Sequence, residues 1–127
     1  MQKHEAWLSF AQEDLDMALV AVKPEYMMVR SALYHAQQCF EKSLKAYLVF
    51  NNIMPPRTHD LSALLKSCVR VNKEFEKYMS DAYEINPFSV ATRYPDDAYV
   101  FPDIDYVHHI IARSQCFFEF VVSVTGK

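Results

Sequence analysis

Apolar residues recur along most of this chain at three- and four-residue spacings, the period that gathers them on one face of a helix. Over residues 3–22, Trp7, Leu8, Ala11, Leu15, Ala18, Leu19 and Val22 form one stripe, while Glu5, Gln12, Glu13 and Asp16 fall elsewhere on the wheel. Lys23-Pro24 ends the segment, because the residue before a proline is pushed out of the α region. A second pattern over 25–51 stacks Val29, Leu33, Ala36, Phe40, Leu44 and Leu48, then stops at Asn51-Asn52 and Pro55-Pro56. Two long helices with so tight a connection are expected to pack antiparallel.

Thr58 is placed to cap a short third helix, with Asp60 in its first turn near the positive end of the dipole. Leu61, Leu64, Leu65 and Cys68 supply that helix's buried face. A fourth, over 73–85, carries Phe75, Tyr78, Met79 and Ala82. Between Asn86 and Pro102 the period fails, and Pro87, Pro95 and Pro102 punctuate an aromatic-rich loop of a length usually reserved for function. The last helix, 103–124, aligns Tyr106, Ile110, Phe117, Val121 and Val124. The pattern predicts an all-α, up-and-down bundle of about five helices, in one domain over residues 1–127 with no repeat or linker.

Composition sharpens this picture. The 127 residues contain one glycine, Gly126, so the positive-φ turns of an all-β fold have nothing to build them. A chain of this size can bury one shared core without disulfide or metal support. The formal charge of −3 offers no global attraction for nucleic acid and argues against a dedicated DNA-binding module. No run of about 18 apolar residues is present, and the polar start is unlike a signal peptide. The expected location is the cytoplasm. Cys39, Cys68 and Cys116 are odd in number and set among apolar helical positions, as reduced core cysteines are.

Candidate chemistry concentrates in the second helix, from Tyr34 to Ala46. At about 100° per residue, His35, Gln38, Lys42 and Lys45 form a polar stripe. Gln37, Glu41 and Lys45 form an overlapping one, with Glu41 and Lys45 in the favourable i,i+4 order. Two readings follow. The stripe is a solvated face whose ion pairs contribute about 0.3–0.5 kcal/mol each, or it gathers donors for phosphates or a partner helix. His59, in the first turn after Thr58, either closes that turn on backbone or Asp60, or meets a ligand. Arg93 and Tyr94 pair a phosphate-holding cation with a stacking ring, or pin the loop through carboxylates. Asp96, Asp97, Asp103 and Asp105 have no spacing that enforces metal coordination and read as solvated charge. Adjacent His108 and His109 point about 100° apart and cannot clasp one metal as an i,i+4 pair does. No cysteine pair or glycine-rich phosphate loop exists, so no metal or cofactor is expected.

The stretch from His35 to Leu48 resembles the "HAQQ…EKxLKAYL" signature of prokaryotic HEPN domains. Three further elements follow the family's order. Trp7 with Ala11, Asp14-Leu15 and Ala18 resembles its opening helix, Pro56-Arg57-Thr58-His59-Asp60-Leu61 its "P-x-THDL" turn, and Arg93-Tyr94-Pro95 its "RYP" element. Together they span nearly the whole chain. The resemblance implies a helical bundle, often a homodimer, frequently encoded beside a minimal nucleotidyltransferase and associated with nucleotide binding. Some branches are metal-independent ribonucleases or toxins acting through an Arg and a His four to six residues apart, contributed by both subunits. Arg30 and His35 fit that spacing, although Ser31 after the arginine and the early-helix position depart from the nuclease pattern.

Three functions are therefore expected to compete. The first is a dimeric module that binds a nucleotide or a nucleotidyltransferase partner through Gln38, Lys42, Lys45, His59, Arg93 and Tyr94. The second is a toxin-type ribonuclease in which His35 is the general acid or base and Arg30 stabilises charge on the phosphate. The third is a dimeric scaffold whose stripe is only surface.

Overall fold

The structure, a computed structural model, describes residues 3–89 and 102–126, Ser89 by its backbone alone. Helix α1 (Lys3–Ala21) leads through a tight turn into α2 (Val29–Phe50), followed by α3 (Leu61–Val71), a 3₁₀ segment (Lys73–Tyr78), α4 (Met79–Ile85), a 3₁₀ turn (Asn86–Ser89) and α5 (Ile104–Thr125). The all-α bundle is the one its periodicity predicts. Arg93 and Tyr94, with Asp96, Asp97 and any closure of the 86–102 loop, lie outside the described residues.

The second helix starts four residues later than its pattern suggests. After Pro24 the chain turns on itself, with Tyr26 and Met27 N–H donating to Lys23 C=O at 2.9 Å and Met28 N–H to Ala21 C=O at 2.7 Å. Met27 takes a positive φ of 48°, a conformation no helix accommodates. At the other end Asn51 caps α2, its amide donating to Tyr47 C=O at 2.8 Å, and Asn52 follows with φ 61°. Asparagine tolerates this left-handed exit better than most residues.

The α1–α2 pair is antiparallel. His4 meets Phe50 at one end with ring centroids 5.1 Å apart, Asp14 meets Lys42 midway, and Ala21 meets Met28 beside the turn. Ala11 and Ala18 are fully buried on α1, as are Ala32 and Ala36 on α2, and such small side chains let two helices approach closely. The 51–60 connection then runs back alongside α2, so that Gln37 lies by His59 and Leu44 by Cys68. Consequently α3 points the same way as α2. The chain reverses at the 3₁₀ segment, and α4 runs antiparallel to α5, as the pairs Tyr78–Phe117, Asp81–Arg113 and Glu84–His109 show.

The core is aromatic at its centre. Phe40 stacks on Phe117 with centroids 4.1 Å apart, and Phe75 packs against Tyr47 at 4.3 Å. Where α5 crosses α2, the buried Ser114 hydroxyl donates to Ala36 C=O at 2.7 Å and satisfies itself without water. Cys39 and Cys68 are core residues, as expected, and burial pushes each thiol up to about 12. Cys116, by contrast, is exposed.

Candidate functional site

The α2 stripe is not a solvated face. Gln37, Gln38 and Glu41 are buried, and the stripe is the spine of a polar network held between α1, α2 and the 51–60 connection. Two carboxylates organise it, and each holds one lysine and one histidine.

The first is Asp14, on α1 between Ala11 and Ala18 and buried with them. Its Oδ1 lies 2.7 Å from His35 Nδ1, and its Oδ2 accepts from Lys42 Nζ at 2.6 Å. Both partners come from α2, so Asp14 clamps the two helices together. The second carboxylate, Glu41 on α2, accepts from Lys45 Nζ at 2.9 Å one turn along the same helix. Its two oxygens lie 3.2 and 3.1 Å from His59 Nδ1, which arrives from the connection before α3. Gln37 and Gln38 amides donate toward Glu41 at 3.4 and 3.5 Å, and Gln38 also donates to Gln37 Oε1 at 2.7 Å. In both pairs the carboxylate fixes Nδ1 as the protonated nitrogen, which leaves Nε2 as the ring atom that can exchange a proton or meet a ligand.

His59 therefore neither closes its turn on backbone nor bonds Asp60. The N-cap of α3 is Asp60 rather than Thr58: its Oδ1 accepts from Ser62 N–H at 3.1 Å and from the Ser62 hydroxyl at 2.8 Å. Those hydrogen bonds hold the Asp60 carboxyl below its ordinary range. Thr58 sits two residues outside the cap, its hydroxyl accepting from Asp60 N–H at 3.1 Å, while Asn86 Oδ1 takes the Leu61 N–H at 2.9 Å. The cap moves two residues because the Asp60 and Asn86 side chains together accept from the first-turn donors, Ser62 N–H and Leu61 N–H.

Of the residues singled out from the sequence, His35 and Lys42 gather at Asp14, and Gln38, Lys45 and His59 gather at Glu41. Arg30 stands at the exposed start of α2. The hub roles of Asp14 and Glu41 escaped the sequence reading, although Asp14 was among the residues of the opening-helix resemblance. The spacing Ala11-x-x-Asp14-x-x-x-Ala18 already put Asp14 on the buried face.

Two cavities flank the network. One, of about 320 Å³, is lined by His35 with Met17, Val20, Met28 and Ser31, and carries Glu13 and Asp16 on its rim. The other, of about 590 Å³, lies at the far end of the α1–α2 pair and is bounded by Trp7, Phe10, Ile53, Met54 and Pro55, with Lys3 and Asn52 as its polar groups. Lys45 joins this cavity to the network, its Nζ standing 5.6 Å over the Trp7 ring. Among the described residues, no three His, Cys, Asp or Glu side chains converge as a metal group, and no helix is long and apolar enough to cross a membrane.

Comparison with known proteins agrees with this architecture. An archaeal HEPN homologue, ST0689, known from its crystal structure, superposes with a TM-score of 0.77 at 25% identity, over 98% of this chain and 99% of that one. A Methanocaldococcus jannaschii protein described as "Putative toxin MJ1304" is 37% identical over 59 residues, which is 46% of this chain and 37% of that protein. The matched stretch thus spans little more than a third of that relative's length. The family model described as "HEPN domain" matches residues 4–124, and the chain belongs to the HEPN domain family.

Proposed function

We propose that this HEPN domain is a homodimeric module that binds a nucleotide or a nucleotidyltransferase partner, and that a bound nucleotide's phosphates sit at the Glu41 end of the α2 stripe. The observation carrying this reading is the Lys45–Glu41–His59 arrangement, at 2.9 and 3.1 Å. One carboxylate there organises two basic groups. Protonation of His59 at Nε2 leaves the trio with a net positive charge and a donor directed away from Glu41. A phosphate nearby favours that protonated ring, so ligand and proton reinforce each other. Arg57 is exposed two residues before His59. The Asp14 end is less hospitable to an anion, because Glu13 and Asp16 rim the cavity that His35 lines.

Titration calorimetry with ATP and other nucleotides is expected to show saturable binding that His59→Ala weakens. No saturation with any nucleotide removes this half of the proposal. Light scattering that gives a monomer mass removes the dimer. Co-purification with a neighbouring nucleotidyltransferase as two separate species removes the partner.

A second reading rests on a different observation, the 2.7 Å contact between Asp14 and His35. A carboxylate that orients an imidazole through Nδ1 readies Nε2 for general acid–base work. With Arg30 supplied across a dimer axis, this is the arrangement a metal-independent ribonuclease needs, and the relative described as a putative toxin points the same way. RNA cleavage by the purified protein in EDTA, lost in folded His35→Ala and Arg30→Ala variants, establishes it. Absence of cleavage over a range of RNAs leaves the binding module.

A further inference from the structure

From the larger cavity we propose a second half of the nucleotide site: the 590 Å³ space beside Trp7 holds the ligand's nucleobase, while its phosphates lie toward Lys45 and His59. This rests on the phosphate-binding reading above and specifies where the rest of the ligand goes.

Three observations carry the placement. The cavity falls within the roughly 300–1,000 Å³ typical of small-molecule sites, and its walls are apolar and aromatic. Its polar groups are few and sit at the rim. Asn52 offers an amide, both donor and acceptor, which suits the edge of a heterocycle. Lys3 adds a cation. Finally, Trp7 belongs to both regions, since it lines the cavity and also carries Lys45 Nζ 5.6 Å from its ring centroid. From the cavity, Trp7 leads to Lys45, Lys45 to Glu41 at 2.9 Å, and Glu41 to His59 at 3.1 Å. An apolar recess that opens onto a cationic site matches a flat ring joined to an anion. Indole–base stacking tolerates any base, so the site takes a nucleobase as a class.

Met54 stands at the cavity's edge with 89% of its surface exposed, so replacing it leaves the core untouched. Trp7 is the chain's one tryptophan, so its emission reports on the cavity it lines and on the Lys45 that stands over its ring. ATP, adenosine and inorganic triphosphate are titrated by fluorescence and calorimetry into the full chain and into Met54→Ser. ATP and adenosine are expected to change Trp7 emission saturably, and adenosine, with no phosphate to reach Lys45, assigns that change to the base. ATP is expected to bind about tenfold or more tightly than triphosphate. Met54→Ser should shrink that advantage several-fold while leaving triphosphate affinity as it was. Equal binding of ATP and triphosphate with no response to adenosine overturns the base site and leaves the phosphate reading standing. No binding of either overturns both. Trp7 emission that follows protein concentration without nucleotide, in step with dimer formation, assigns the cavity to a second copy and overturns the proposal.

Discussion

Asp14 and Glu41 are built from the same parts, a buried carboxylate with one lysine and one histidine, yet they do different work. Asp14 draws both partners from the opposite helix, and its histidine is mostly shielded, with 19% of the His35 side chain exposed. Glu41 takes its lysine from its own helix and its histidine from the 51–60 connection, and 73% of the His59 side chain is exposed. The first is a clamp between α1 and α2. The second is a platform, open at its histidine and joined through Lys45 to the Trp7 cavity. The identity of the charged groups does not decide which a site becomes. The elements that deliver them do, because they set how much water each partner keeps.

The sharpest break of this comparison is to remove each carboxylate. Breaking a buried ion pair from one side costs up to several kcal/mol, and the loss grows with the burial of what is stranded. Glu41→Ala strands the Gln37 and Gln38 amides and Lys45, whose side chain is only 13% exposed. A loss of about 3 kcal/mol is expected. Asp14→Ala severs a link between two helices, but Lys42 is 26% exposed and can rehydrate. About 2 kcal/mol is expected there. Urea unfolding of the two variants checks the order. A larger loss for Asp14→Ala means that bridging two helices, and not burial, sets the energetics.

These two variants also show where the sequence could be read and where it could not. The helices were legible because a 3.6-residue period writes itself into the apolar positions, as from Leu33 to Leu48 in α2. Glu41 with Lys45 was legible because i,i+4 neighbours meet whatever the tertiary structure. Asp14 was half-legible, since its place between Ala11 and Ala18 fixed the face but not the partners, which lie 21 and 28 residues away. The Glu41–His59 contact was not legible at all. It exists because the chain after Pro55-Pro56 travels back along α2, a choice of route that no local propensity encodes. The burial of the α2 stripe was illegible for the same reason: Lys42 takes its carboxylate from Asp14 on α1, and Lys45 is covered by Trp7 of that same distant helix.

A smaller effect tests the platform alone. Asp60 caps the helix that follows His59, so Asp60→Ala is expected to cost about 1 kcal/mol, and Thr58→Ala clearly less. The Asp60 carboxyl is held below its ordinary range by Ser62 and Asn86. A depressed folded pKa gives stability that is present above the unfolded value and is lost as pH falls through the folded one. The difference between wild type and Asp60→Ala should therefore shrink once pH drops below about 4. Thermal melts across that range decide it, and a difference that stays constant in acid assigns the cap's contribution to something other than its charge. Asp14 and His35 lie away from this cap, so their hydrogen exchange should not change with it.

The gentlest test leaves the sequence intact and asks whether the two imidazoles differ as their surroundings require. Both are fixed through Nδ1 by a carboxylate, so orientation does not distinguish them. Access does. Acylation by diethyl pyrocarbonate needs an unprotonated ring nitrogen that solvent can reach, and with Nδ1 engaged that nitrogen is Nε2. His59, largely exposed, is expected to label several-fold faster than His35, which Met17, Val20 and Met28 shelter within its cavity. Peptide mass mapping against time resolves the two. Saturating ATP should then slow His59 and leave His35 unchanged if the phosphates occupy the Glu41 end. Protection of His35 instead moves the ligand to the Asp14 end, and with it the balance toward acid–base chemistry on RNA.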